Sequence, residues 1–115
     1  MNKKLELLIL NKRITTSEKG NSMEPKIKSG QKHVLEHVTD LNTIEINDVV
    51  YCKVQGVYYT HLVTAIKKNG DSLLFQISNN HGHVNGWTKQ VFGKVIEVLD
   101  KHSNVGKKRR TKRIK

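Results

Sequence analysis

The stretch Asp48-Val49-Val50-Tyr51-Cys52-Lys53-Val54-Gln55-Gly56-Val57-Tyr58-Tyr59-Thr60-His61-Leu62-Val63-Thr64-Ala65-Ile66 reads as two β-strands joined by a tight turn. β-Branched and aromatic residues dominate it, types that pack well on a pleated surface, and Gln55-Gly56 interrupts it. Asn69-Gly70-Asp71 supplies a second turn and Leu73 to Ile77 a third strand, so three consecutive antiparallel strands are predicted. Val91 to Leu99, around Gly93, reads as another strand, and His33 to Val38 as an earlier one. The pattern predicts a mainly β fold, with strand spacing suited to a small barrel or folded-over sheet. Upstream, Leu5, Leu8 and Ile9 among Lys3, Lys4, Lys12 and Arg13 make a short helical stripe. Thr15 to Ser22 is polar and ends in turn formers, which sets the start of the globular part near Lys19. The expected organisation is an N-terminal arm over 1–18, a β domain over 19–100 and a tail over 101–115, with no internal repeat.

A chain of 115 residues, 36% of them hydrophobic, has room for one domain. Its single Cys excludes an intrachain disulfide and a cysteine-based zinc site, so no cofactor is expected. The longest apolar run, Leu7 to Leu10, is far short of the roughly 20 residues that span a bilayer, and it makes a poor signal peptide. A cytoplasmic protein without a membrane span is the expectation.

Lys and Arg number 21 against 10 Asp and Glu, a net charge of +11. Seven of the cations are Lys107, Lys108, Arg109, Arg110, Lys112, Arg113 and Lys115, which leaves +4 for residues 1–106. A run of this kind repels itself and buries nothing, so a disordered basic tail is expected. It could draw nucleic acid by releasing counterions, or act only as a solubilising C-terminus.

Two segments could carry chemistry. Gly20-Asn21-Ser22-Met23-Glu24-Pro25 places a serine between turn-forming residues. A nucleophilic serine needs a constrained turn, a base beside it and backbone N–H groups for the oxyanion, whereas a capping serine in a loop needs only the turn. His61, in turn, shares a strand face with Val57, Tyr59, Val63 and Ala65. A neutral imidazole on that face is either a satisfied core histidine or a general base kept unprotonated by desolvation.

In their order, Ser22-Met23-Glu24-Pro25, Ile27-Lys28-Ser29-Gly30, Asp48-Val49-Val50-Tyr51 and the strand bearing His61 resemble the Ser-Met-x-Pro, Gly-Asp-(Ile/Val)-Val and His-Arg-Val boxes of the signal peptidase and LexA-type serine peptidase superfamily. Val91-Phe92-Gly93-Lys94-Val95-Ile96 is similar to that superfamily's closing Gly-Lys-Val strand, and the likeness runs from about Gly20 to Leu99. His61 stands where the endoplasmic-reticulum and archaeal enzymes carry a histidine and the bacterial ones a lysine. The resemblance implies a coiled, mainly β fold and a peptide or protein substrate. It also implies Ser22 as nucleophile, His61 as general base, and Met23 packed beneath the serine turn.

The sequence departs from the pattern at Leu62, where the family has Arg, and at Ile77-Ser78-Asn79-Asn80, where the His-type enzymes read Gly-Asp-Asn-Asn. Without that Asp, three outcomes follow: a plain dyad, a substitute orienter such as Ser78 or Asn79, or lost catalysis. Asp71 reads as a turn residue. His81 and His83 could join His61 as metal ligands, but their glycine-rich setting reads as a loop that lines the substrate cleft, with Trp87 as its apolar wall; no metal is expected. Structural or surface roles are expected for His33 and His37, and a core position for Cys52.

Two functions are therefore weighed. One is a serine endopeptidase or self-processing domain, whose compact form would suit a phage-infected bacterial host. The other is an inactive peptidase-like binding module whose basic tail meets nucleic acid or an acidic partner.

Overall fold

The computed structural model describes residues 2–99 and, for the main chain, 111–113. Helix α1 (Lys3–Asn11) is followed by β1 (Arg13–Thr16), β2 (His33–His37), β3 (Val49–Val54), β4 (Val57–Asn69), β5 (Ser72–Ser78), β6 (Val84–Thr88), β7 (Val91–Leu99) and β8 (Thr111–Arg113). Strands pair antiparallel in the order β1-β2-β7-β3-β4-β5-β6, and β8 pairs with β7. The fold is mainly β with one short N-terminal helix, as the sequence predicts. No helix among the described residues is long and apolar enough to cross a membrane.

Alternation along β3 explains how one sheet serves two cores. Val49 and Tyr51 point to one side, with Leu5, Leu8, Met23, Ile27, Leu35, Val95 and Val98. Val50, Cys52 and Val54 point to the other, with Ile44, Val63, Phe75, Ile77 and Val91. Irregularities at Val34/Leu35, Tyr51/Cys52, Val63/Ala65 and Ile77/Ser78 interrupt the pairing. Such bulges bend and twist the strands, which lets the sheet wrap around both clusters.

The N-terminal segment packs against the β-sheet. Asn2 caps α1 by accepting from the Leu5 N–H at 2.7 Å, and its amide donates to the Tyr51 hydroxyl at 2.8 Å. Leu5 and Leu8 are buried, each worth about 1.5–3 kcal/mol on removal from water. Ile9, the third apolar residue of the helical stripe, is 39% exposed. Gly93 of β7 permits this docking, since a Cβ there would lie 2.7 Å from Leu8 Cδ2. β1 runs into the start of the polar stretch at Thr15 and Thr16 and pairs with β2 from Arg13↔Glu36 to Thr16↔His33. At the other end, the main chain of Thr111–Arg113 pairs with Glu97–Leu99, where β7 has free ladder positions beyond β3. Lys107, Lys108, Arg109, Arg110 and Lys115 lie outside the described residues.

Candidate active site

Ser22 sits in the loop between β1 and β2, on a turn held from several directions. Gly20 takes φ of +114°, a conformation glycine adopts without strain, and its N–H donates to Ser29 Oγ at 3.0 Å. Glu24 N–H donates to Asn21 O at 3.2 Å and Ile27 N–H to Met23 O at 3.0 Å. Met23 and Ile27 anchor the turn from below, buried in the core cluster that holds Tyr51. From above it is clamped by the loop between β5 and β6. Asn80 N–H donates to Ser22 O at 2.8 Å, Asn80 Nδ2 to Glu24 O at 3.0 Å, and His81 Nε2 to Asn21 O at 2.9 Å. That loop is ordered in turn by Asn79, whose Oδ1 accepts from the N–H groups of His81 at 2.8 Å and His83 at 3.0 Å.

His61 comes from the middle of β4, where Val50 of β3 is its cross-strand neighbour. Its Nε2 lies 3.0 Å from Ser22 Oγ and its Nδ1 lies 2.7 Å from Asn85 Oδ1. The Tyr59 ring stacks on the imidazole at 4.8 Å between centroids, and His61 is 8% exposed. Burial lowers its pKa below the usual histidine value, reinforced by the nearby His83; the hydrogen bond to Asn85 and the charge of Glu18 oppose that shift. The ring is thus neutral near neutral pH. An amide oxygen can only accept, so the proton sits on Nδ1 and the Nε2 lone pair faces the serine.

Asn85 therefore occupies the position for which Ser78 and Asn79 were candidates. Ser78 is buried, stands opposite Leu62 in the ladder and bonds to Thr64 Oγ1 at 2.9 Å, while Asn79 holds its own loop. Asn85 is hidden in the sequence because Val84-Asn85-Gly86 reads as a turn. The structure instead extends it as β6 beside β5, with Gly86 at φ +140°. Trp87 does not wall the cleft; it lies in β6 beneath Lys67, whose Nζ is 4.6 Å from the ring centroid. His81 holds the serine turn, and His83 is exposed next to it. No group of metal-ligating side chains occurs among the described residues.

Beside the pair opens a cleft of about 260 Å³, lined on one side by Glu18, Lys19, Gly20, Met23, Ile27 and Lys28 and on the other by Tyr58, Tyr59 and Thr60. The Ser22 main-chain N–H donates to no acceptor among the described residues. Cys52, buried in the second core cluster, has its thiol pushed up to about 12 by burial and by the charge of Glu18, which makes it an inert packing residue. No family model, curated protein or solved structure matches the chain.

Proposed function

We propose that this chain is a serine endopeptidase, or a self-processing domain of the same chemistry, with the coiled β-sheet of the signal peptidase and LexA-type superfamily. The observation that carries the reading is the unbroken line Ser22 Oγ, His61 Nε2, His61 Nδ1, Asn85 Oδ1, with steps of 3.0 and 2.7 Å. Packing alone does not ask for a hydroxyl, an imidazole and an amide in that order, drawn from a loop and two strands that are not neighbours in the sheet.

In the mechanism these groups support, Ser22 Oγ attacks the scissile carbonyl carbon while its proton passes to His61 Nε2. Asn85 holds the ring in the tautomer that can accept that proton. The Ser22 N–H stands ready to donate to the oxyanion. Collapse of the tetrahedral intermediate breaks the C–N bond, the proton on Nε2 goes to the departing amine, and an acyl ester remains on Ser22. Water, deprotonated by the same nitrogen, then releases the acid. The missing acidic orienter leaves a neutral one, which supports the imidazolium less than a carboxylate would. An intracellular setting fits a chain whose one cysteine is buried as a thiol.

A fluorophosphonate probe, which phosphonylates an activated serine with loss of fluoride, tests this directly, with the mass of the intact chain as readout. One adduct on the native chain, absent in both Ser22→Ala and His61→Ala, is expected. Equal labelling of all three chains, or of none, would remove the reading.

The concentration of seven cations between Lys107 and Lys115 favours a second reading, a binding module in which the tail meets nucleic acid or an acidic protein. It is separable from the first, because tail-driven affinity weakens with salt and acylation of Ser22 does not.

A further inference from the structure

The cleft beside Ser22 has a carboxylate in its wall. Glu18 Oε2 accepts from Lys4 Nζ at 2.6 Å and from Thr60 Oγ1 at 2.7 Å, which pins the side chain between α1 and β4. Its other oxygen, Oε1, takes no hydrogen bond from the described residues and is not among the buried polar atoms that lack a partner, so it keeps an accessible surface. Glu18 lines the cleft together with the rings of Tyr58 and Tyr59, the buried Met23 and Ile27, and the polar Lys19, Lys28 and Thr60, so the exposed lining is mostly polar. A fixed acceptor discriminates by what a ligand fails to donate, since an apolar group laid over Oε1 would strip the water from this partly exposed carboxylate and leave the oxygen unpaired.

The sign of the local charge narrows the choice of donor. Lys4 already balances Glu18, and Lys19 and Lys28 at the mouth carry no ion pair among the described residues. A substrate cation would meet three ammonium groups for one carboxylate. A hydroxyl or carboxamide meets no such opposition and can still donate to Oε1.

We propose that Glu18 makes this cleft a polar subsite, which selects a substrate side chain bearing an uncharged hydrogen-bond donor over its apolar isostere and over a cation. The proposal rests on the reading of Ser22 and His61 as the cleavage site, because it takes the cleft for the seat of a residue next to the scissile bond.

The test uses the full-length Ser22→Ala chain, which can bind without acylation, isotopically labelled and titrated by NMR with capped tripeptides acetyl-Ala-Ala-Xaa-amide. Thr is compared with Val and Gln with Met, pairs that differ little in shape, and Lys serves as the cationic probe. Shifts are expected at the main-chain amides of Gly20, Met23 and Thr60, with Thr and Gln bound about tenfold more tightly than Val and Met and Lys no tighter than Val. Glu18→Leu should reverse the Thr-over-Val order. Glu18→Gln, which keeps the shape if the leucine variant does not fold, should shrink it. Equal or tighter binding of Val and Met, tightest binding of Lys, or no shift with any peptide would each overturn the subsite. The two proposals fail separately. Probe labelling of the native chain without Thr-over-Val discrimination sinks the subsite alone, and discrimination without labelling sinks the peptidase reading.

Discussion

Asn85 Oδ1 lies 2.7 Å from His61 Nδ1, so a neutral amide does here what a carboxylate would otherwise do: it fixes the ring and its tautomer. It differs from a carboxylate in adding no negative charge. Orientation and charge can therefore be pulled apart by substitution at this one position.

Asn85→Ala should reduce the rate of Ser22 acylation by roughly 10²-fold or more, as the imidazole loses both its tautomer and its aim. Asn85→Asp keeps the acceptor and adds the charge. Reactivity needs the neutral ring, and burial already lowers the His61 pKa, so the acid limb of the native pH profile should fall below the ordinary histidine value of about 6.5. In the Asp variant that limb should move to higher pH, because a carboxylate favours the imidazolium. Acylation rates from pH 4 to 8 decide it; identical limbs in the two chains would show that Asn85 does not act on His61.

Much of this arrangement is legible in the sequence, and the part that is not has a physical cause. β3, β4, β5 and β7 stand out because buried β-branched residues recur on both faces and glycine turns punctuate them. Ser22 and His61 are singled out by the order of their motifs, and the fold places their side chains 3.0 Å apart. β1 escapes notice because an edge strand of Arg13-Ile14-Thr15-Thr16 carries almost no apolar signal and is defined by its ladder to β2. β6, and Asn85 with it, escapes because Asn-Gly marks a turn in most settings. Here pairing of Gln76↔Trp87 and Ile77↔Gly86 overrides that local preference, and a Cβ at Gly86 would come 3.0 Å from Val54 Cγ1.

The basic tail predicts a salt law. If Lys107 to Lys115 drives binding to a polyanion, affinity for a double-stranded DNA should fall with salt at a log–log slope no steeper than about −6, since seven cations are available. Truncation after Gly106 should abolish the affinity while leaving probe labelling of Ser22 intact. Unchanged DNA affinity in the truncated chain, measured by fluorescence anisotropy, would rule the tail out as the contact.

His33 should tie stability to pH. The ring is fully buried, Nδ1 meets Gln31 O at 3.3 Å and Nε2 has no partner, so a second proton would find no acceptor. Burial lowers its pKa, with Lys4 acting in the same direction and the Gln31 carbonyl and Glu18 against it. A histidine depressed in the folded state binds its proton more readily when unfolded, so stability is full above about pH 6.5 and declines as pH falls below it. His61 contributes with the same sign. Melting temperature should drop between about pH 7.5 and 5, and His33→Leu should narrow that drop. A drop of the same size in both chains would exclude His33 as a source.

Val50, the cross-strand neighbour of His61, also faces the lysine of an ion pair in the β3–β7 pairing. Val50 opposes His61 on one side and Lys94 on the other, and Lys94 Nζ lies 3.3 Å from Oδ2 of Asp48. Asp48 is 1% exposed; its Oδ2 also accepts from Glu45 N–H at 2.7 Å, and its Oδ1 is buried without a partner. Lys94→Met would strand that charge and should cost about 2–3 kcal/mol, less than for a fully buried pair because the lysine is partly exposed. Asp48→Asn added to it removes the charge and keeps an oxygen for the Glu45 N–H, so the double variant should recover much of the loss. Urea unfolding of the single and double variants separates the terms. Strictly additive losses would mean that the lysine is held in β7 by its packing and not by the carboxylate across the strand.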